Sequence, residues 1–446
     1  MHITGVANRP LTNPDAAWRV SFGSGLLISI HIIVCCLSLV CVTRFYASFI
    51  RIAPVDEHRL LAGAMNVAPF ALVSILFVLR RFSFGYVLSF YLYTIILGYL
   101  WLLGFSRFPY DHLLAYSSAF VSGLAFFLPA MFITSPIRQR FVLSADNLDR
   151  LLSLILILAL ILIAIGATFN LKLAAIADIP VLRNQLVFPA WLTYAIDITA
   201  TVLLPFAFAC FVLLRRTWRA GLSLLLQLPF YLIILSKFPL LAPVWLLALA
   251  LSSRYFSVRV TVVLSLLFPM SFGILLQGLF DAGVLSYATF NSYFSIVNFR
   301  MVALPSSALD FYNDFFSNHD LTHFCQIGFL KRLVNCPYQE QLGPVMQNAY
   351  NAGNFNASLL ATEGIASIGL TLAPLSVLAC GLVVALGNCV SSELPPRFIL
   401  LSSGMLMQVL MTVPFTISMV TYGGAVLFLL WYVTPRSLFD PPARNG

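Results

Sequence analysis

The strongest constraint on this chain is a succession of apolar runs, each close to the ~20 residues a helix needs to cross a bilayer core. The first run covers residues 24–42, and similar runs recur almost to the C-terminus. Backbone inside hydrocarbon must satisfy its own hydrogen bonds, which leaves helices or closed barrels. Runs this long, without alternation, select helices. Only 9% of the 446 residues are charged and the mean hydropathy is +0.94, against roughly a quarter charged in soluble domains. The chain reads as an all-α polytopic membrane protein. No cleavable leader is evident, because residues 1–20 are polar and the first run is long enough to stay as an uncleaved signal anchor.

Twelve spans are expected, at about 24–43, 62–79, 84–104, 114–134, 151–170, 193–214, 219–235, 238–253, 260–280, 364–387, 398–414 and 416–433. The seventh and eighth are short and split around Lys237-Phe238-Pro239. The last two share one apolar run broken near Pro414, so ten longer, kinked helices is the rival count. The net charge of +9 comes from Lys and Arg in ones, twos and threes at helix ends. That is the pattern of cytoplasmic loops. It lacks the clustered basic patch with interleaved aromatics that binds nucleic acid. With the N-terminus inside, Arg9, Arg19, Arg80, Arg81, Arg138, Arg140, Arg150, Arg215, Arg216, Arg219, Arg254, Arg259, Arg397, Arg436 and Arg444 fall on the inner side. This bias predicts both termini in the cytoplasm, although Arg44, Arg51 and Arg59 then lie outside.

The chain divides into 1–280, with nine spans; 281–363, one long outer loop; and 364–446, with three spans and a short cytoplasmic tail. The loop holds six acidic residues (Asp281, Asp310, Asp314, Asp320, Glu340 and Glu363) against Arg300, Lys331 and Arg332. Loops above ~15 residues are usually functional or disordered. This one is rich in Phe, Tyr and Leu, so it is expected to fold. Residues 285–300 read as an interfacial helix with Tyr287, Phe290, Tyr293, Phe294 and Phe299 at headgroup depth. Cys325 and Cys336 stand in this loop, whereas the other six cysteines lie in or at the ends of apolar spans. In an oxidising compartment the two loop cysteines could pair; as free thiols they need no partner.

The oddest segment is "NDFFSNHDLTHF", residues 313–324. His319 and His323 have the i, i+4 spacing of a zinc helix. Asp320, however, replaces the glutamate base of HExxH, and no third ligand is evident beyond Glu340 or Glu363. A decorated surface loop is a plainer reading. A third reading fits the neighbours better. Tyr312, Phe315 and Phe316 offer ring faces, while Asn313, Asp314, Ser317, Asn318 and His319 offer donors and acceptors. Aromatic platforms beside polar groups suit sugars, and a histidine there can take a hydroxyl proton near neutral pH. Lys237, Arg183 and Arg300 are basic residues near the outer face. A charge so near hydrocarbon either snorkels or has a partner, and a lipid diphosphate is one such partner. Asp197 could orient Arg183 or cap its helix.

Three stretches resemble the O-antigen, or oligosaccharide repeat-unit, polymerases of bacterial inner membranes (Wzy-type). They are "LSKFPLLAPV" (235–244), "FRMVALPSSALDFYNDFFSNHDLTHF" (299–324) and "NAGNFNASLLATEGIASIGLTLAP" (351–374). The likeness covers about residues 220–385. The chain departs from it in lacking a basic residue after the lysine break and in carrying His323. The resemblance implies a GT-C-like polymerase or ligase architecture without metal or nucleotide sugar. It further implies undecaprenyl-diphosphate-linked glycans as donor and acceptor, on the periplasmic face, with a chain-length regulator protein as a further partner. In that chemistry His319 is the expected base and Asp314 its alternative. Lys237, Arg183 and Arg300 would hold phosphate, and Asn318, Asn354 and Asn356 would position sugars. Glu363 either takes part or caps the helix it begins. A glycan ligase acting on lipid A core and a polysaccharide or solute transporter are the competing functions. The late, single long loop argues against the two-half symmetry of a transporter.

Overall fold

The computed structural model describes residues 14–172, 186, 188–327, 330–332, 334–352, 355 and 357–439. Among these residues the chain is helical, with one isolated bridge between Ile52 and Ser106. Among the described residues, ten helices are long and apolar enough to cross a membrane. We label them α1 (Pro14–Tyr46), α2 (Glu57–Leu79), α3 (Phe84–Leu103), α4 (His112–Phe132), α5 (Ala145–Phe169), α6 (Ala190–Leu213), α7 (Thr217–Ile234), α8 (Lys237–Tyr255), α9 (Val258–Asp281) and α12 (Leu360–Ser391). Their starts carry side-chain caps where the sequence offers them. Ser83, Asp111, Ser144 and Ser257 each accept from the backbone N–H three residues on, which satisfies one orphan donor per helix.

The bundle is built around α3, nearly every residue of which is buried. On one side α4 and α12 pack against each other and against α3 at small residues. A Cβ on Gly85 would lie 1.9 Å from the Ala130 carbonyl oxygen, and one on Gly381 would lie 2.9 Å from that of Phe126. Asn388 ties the three helices, accepting from the Gly85 N–H at 2.7 Å and donating to the Ala130 carbonyl at 2.6 Å. Small contact residues plus interhelical amide bonds are how helices associate without a hydrophobic drive between them.

The segment between α9 and α12 departs from expectation. Residues 287–318 form one unbroken helix, α10, through Tyr287–Phe294, Ser295–Ala303 and Leu304–Asn318, the middle stretch being π-helical. Pro305 follows directly. A proline removes an N–H and crowds the preceding turn, and the wider π turns absorb that without ending the helix. α10 packs into the bundle against α1, α3 and α9. Phe290 and Phe294 are fully buried beside Phe45, and Phe299 is buried too, stacked on Tyr46 at 4.0 Å; Tyr293 is partly exposed and Tyr287 half exposed. A short helix, α11 (Leu342–Tyr350), completes the segment.

The last two expected spans exist only in pieces. They are α13 (Pro396–Ser402), α14 (Gly404–Thr412), α15 (Phe415–Val420) and α16 (Gly424–Val433). Pro414 and the left-handed Gly423 (φ 85°) make two of the breaks.

Candidate functional site

The segment's chemistry gathers on α10 after Pro305. One face of a helix carries positions i, i+4 and i+7, and here Ser306, Asp310 and Asn313 turn inward and are buried. Gly98 makes this possible: a Cβ there would meet Ser306 Oγ at 2.3 Å. Asp310 accepts from Ser106 Oγ at 3.0 Å and from the Tyr110 hydroxyl, both in or just beyond the turn leaving α3. Burial pushes its carboxyl up to about 7. The charge of Asp314 adds to the rise, and the two hydroxyl bonds oppose it. Burial also raises Tyr110 well above the ordinary phenol range. Asn313 donates to the Tyr99 hydroxyl at 2.7 Å, and Tyr99 lies 3.3 Å from the Tyr110 hydroxyl.

Asp314 sits one turn on and is half-buried. It accepts from the Tyr350 hydroxyl at 2.6 Å. Arg51, itself exposed, donates to the Tyr350 carbonyl at 2.7 Å and lies over that ring at 5.0 Å. Two carboxylates one turn apart are thus held differently, one buried with its proton held more tightly, the other half-buried with a cation close by.

His319 caps the C-terminus of α10. Its Nδ1 lies 2.8 Å from the Phe315 carbonyl. A carbonyl only accepts, so Nδ1 carries the proton and Nε2 holds the lone pair of the neutral ring. The imidazole stacks flat on Phe315, 3.9 Å away, and Phe315 and Phe316 both lie near Tyr338. The ring is exposed, so its Nε2 edge is a basic nitrogen beside an aromatic surface. Asn318 is spent on its own helix, bonding the Asp314 carbonyl and Ser317.

The zinc-helix geometry is corrected. The helix ends at Asn318, His319 is extended (φ −131°) and His323 is left-handed (φ 47°). The two imidazoles therefore do not share a helical face. No group of three or more potential metal ligands occurs among the described residues. "HDLTH" is instead strapped to α12: the Thr322 and His323 N–H groups bond the Ala366 and Ser367 carbonyls at 2.8 and 3.1 Å. Cys325 and Cys336 are disulfide-bonded.

Lys237 begins α8 after Leu235, whose left-handed backbone (φ 47°) ends α7. Arg300 stands near enough to Lys237 for their charges to act on each other. Fourteen residues of one helix separate Arg300 from Asp314, which is at most about 20 Å at the α-helical rise. The cation pair and the carboxylate pair are therefore two places. Glu363 is buried and caps a neighbour's start: it accepts from the Thr416 N–H at 3.3 Å and bonds Thr362. Arg183, Asn354 and Asn356 lie outside the described residues.

Sequence reasoning missed Asp310, Tyr110, Tyr350 and Arg51 as site residues. The available signal was periodicity, since Ser306, Asp310, Asn313 and Asp314 fall on neighbouring turns once 304–318 is read as helix. Comparison of the chain with protein-family models, curated proteins and solved structures finds no match.

Proposed function

We propose that this chain is a membrane glycosyltransferase that polymerises undecaprenyl-diphosphate-linked oligosaccharide repeat units, as for O-antigen, at the periplasmic face of a bacterial inner membrane. Both termini face the cytoplasm, and the architecture is GT-C-like. The observation that carries the reading is α10, which bears acid–base groups towards its C-terminal end and Arg300 near its middle.

The acceptor hydroxyl attacks the donor's anomeric carbon, the bond from that carbon to the diphosphate oxygen breaks, and the diphosphate leaves with the electron pair. His319 Nε2 takes the hydroxyl proton, with Asp314 as the alternative base. Arg51 stands beside Asp314 and stabilises the charge gathering on the leaving diphosphate. A polymerase has two lipid diphosphates, because the acceptor is lipid-linked as well. Lys237 and Arg300 hold that second one, one repeat unit away from the reacting hydroxyl. Two separated cation sites favour a polymerase over a ligase, whose acceptor is lipid A core. A chain-length regulator acts on this enzyme from outside the site.

A deletion strain complemented with His319→Ala, Lys237→Ala or Arg51→Ala, read as a lipopolysaccharide ladder, tests the reading. Long chains should vanish while single repeats still reach the core. A ladder unchanged by all three substitutions refutes the site, and loss of even the first repeat points to ligation or transport. A transporter is the second reading. It is favoured by π-helical interruptions at Thr199–Leu203 and Leu360–Ile365 and by the fractured α13–α16, since broken helices with polar residues at depth are characteristic of carriers. Loss of repeat-unit translocation into vesicles, with polymerisation intact, would establish it.

A further inference from the structure

A cavity of about 270 Å³ lies apart from the carboxylate cluster, between α6, the end of α7, the start of α8, α14 and the turn before α16. Its polar lining is Thr193, Asp197, Thr201, Gln227, Ser236 and Tyr422. Phe188 and Phe238 supply aromatic wall. The volume is near the lower end of small-ligand pockets, which start at roughly 300 Å³.

Three features mark it as built for a ligand. The π-helical stretch Thr199–Leu203 interrupts α6 where Ala200 and Thr201 line the cavity, and such bulges recur at functional sites. Gln227 is fully buried, its Nε2 donating to the Ala200 carbonyl at 3.0 Å. No hydrogen bond reaches its Oε1 from any described residue. A buried amide oxygen left so is costly, and what it lacks is a donor. Finally, Lys237 stands between the lining residues Ser236 and Phe238, with Arg300 in electrostatic reach.

The cavity therefore pairs an interior that lacks a donor with a lysine next in the chain to two of its wall residues. A bare metal cation fits it badly, because a cage of oxygens at about 2.3–2.6 Å encloses a single ion, and much of this wall is apolar. A free anion seated inside would offer Gln227 Oε1 no hydrogen to accept. A ring bearing hydroxyls for Gln227 and Thr201, an apolar face for the phenylalanines and negative charge only at its rim meets every demand. We propose that the cavity is a subsite for a sugar 1-phosphate, with the ring inside and the phosphate on Lys237 and Arg300. It would seat the first sugar of the acceptor lipid. The identity of that lipid rests on the function proposed above; the preference for a sugar phosphate does not.

The test uses the full chain in phosphatidylcholine nanodiscs and calorimetric titration. The probes are the 1-phosphates and methyl glycosides of glucose, galactose, N-acetylglucosamine and N-acetylgalactosamine, with inorganic phosphate and sodium chloride alongside. At least one sugar phosphate should saturate the protein and bind roughly tenfold tighter than its methyl glycoside, a gap that Lys237→Gln closes. Gln227→Leu should weaken both by roughly tenfold. Thr201→Val, which keeps the bond between Gln227 and Ala200, should act in the same direction. The subsite is refuted if no sugar phosphate saturates, if inorganic phosphate alone binds as tightly, or if both cavity variants bind like the natural protein. Sugar-phosphate binding combined with a ladder indifferent to His319→Ala, Lys237→Ala and Arg51→Ala alike would keep the subsite and remove the polymerase. A collapsed ladder without sugar-phosphate binding would do the reverse.

Discussion

Asp310→Asn offers the sharpest measurement of how α10 is held. The carboxyl's ordinary value is 3.8, and in the folded chain it is pushed up to about 7 by burial, with the charge of Asp314 adding and the bonds from Tyr110 and Ser106 opposing. The difference corresponds to roughly 4 kcal/mol between ionising Asp310 in place and ionising it in the unfolded chain. Because the folded value is the higher one, this contribution is fully present below about pH 4, where both states hold the proton. It falls as pH rises, while only the unfolded chain ionises, and is gone above about pH 7. Asparagine keeps an oxygen for Ser106 and Tyr110 and cannot ionise. Thermal unfolding in detergent from pH 5 to 8 should therefore show the natural protein losing stability towards pH 8 relative to Asp310→Asn. The two curves should converge at the acid end. Parallel curves would mean that Asp310 is already ionised at pH 5, that the two hydroxyl bonds outweigh burial, and that the proton assigned to this position is not there.

Three further outcomes follow from contacts elsewhere. Gly98→Ala places a Cβ 2.3 Å from Ser306 Oγ and 3.0 Å from its Cβ; it should destabilise by about 1–3 kcal/mol in a melting assay, and Ser306→Gly in the same chain should recover most of the loss. Asn388→Ala removes bonds to Gly85 and Ala130 and leaves two buried backbone groups unsatisfied, for a cost of roughly 1–3 kcal/mol read as an earlier detergent melt. With Cys325–Cys336 bonded, denatured protein should titrate six thiols without reductant and eight with it; eight in both conditions would remove the disulfide.

The spans were legible because length and hydropathy decide them. Expected 84–104 and 260–280 are found as Phe84–Leu103 and Val258–Asp281, and the break at Lys237 lies where the left-handed Leu235 ends α7. Two things were hidden. Glycine and proline in the last fifty residues read as one kink, yet Ser403, Pro414 and Gly423 divide the region into four short helices. In the long segment, the π stretch shifts the side-chain period just before Pro305, so 285–300 resembled an amphipathic surface helix. The buried faces of Phe290 and Phe294 and the inward turn of Asp310 depend on partners, Phe45 and Gly98, some 200 residues or more away in the chain. No local pattern reports such contacts. The histidine spacing misled for a related reason: whether i and i+4 share a face depends on the helix persisting, and here it stops at Asn318.

What fixes the spacing of the two halves of the site is a pair of glycines. Asn298 is buried where a Cβ on Gly273 would lie 1.7 Å from its Oδ1, and its amide donates to Ser38 and to the Met270 carbonyl. Eight residues on, Ser306 sits in the space left by Gly98. Sliding α10 by one turn would drive a larger side chain into each gap and break both bonds of Asn298 together. Arg300 lies between these anchors and Asp310 and Asp314 just beyond the second, on a single continuous helix. The distance from cations to carboxylates is therefore a property of the packed bundle and not of a loop. If the chain joins two lipid-linked substrates at one carbon, as proposed, this arrangement would let the remote diphosphate set where the reacting hydroxyl arrives.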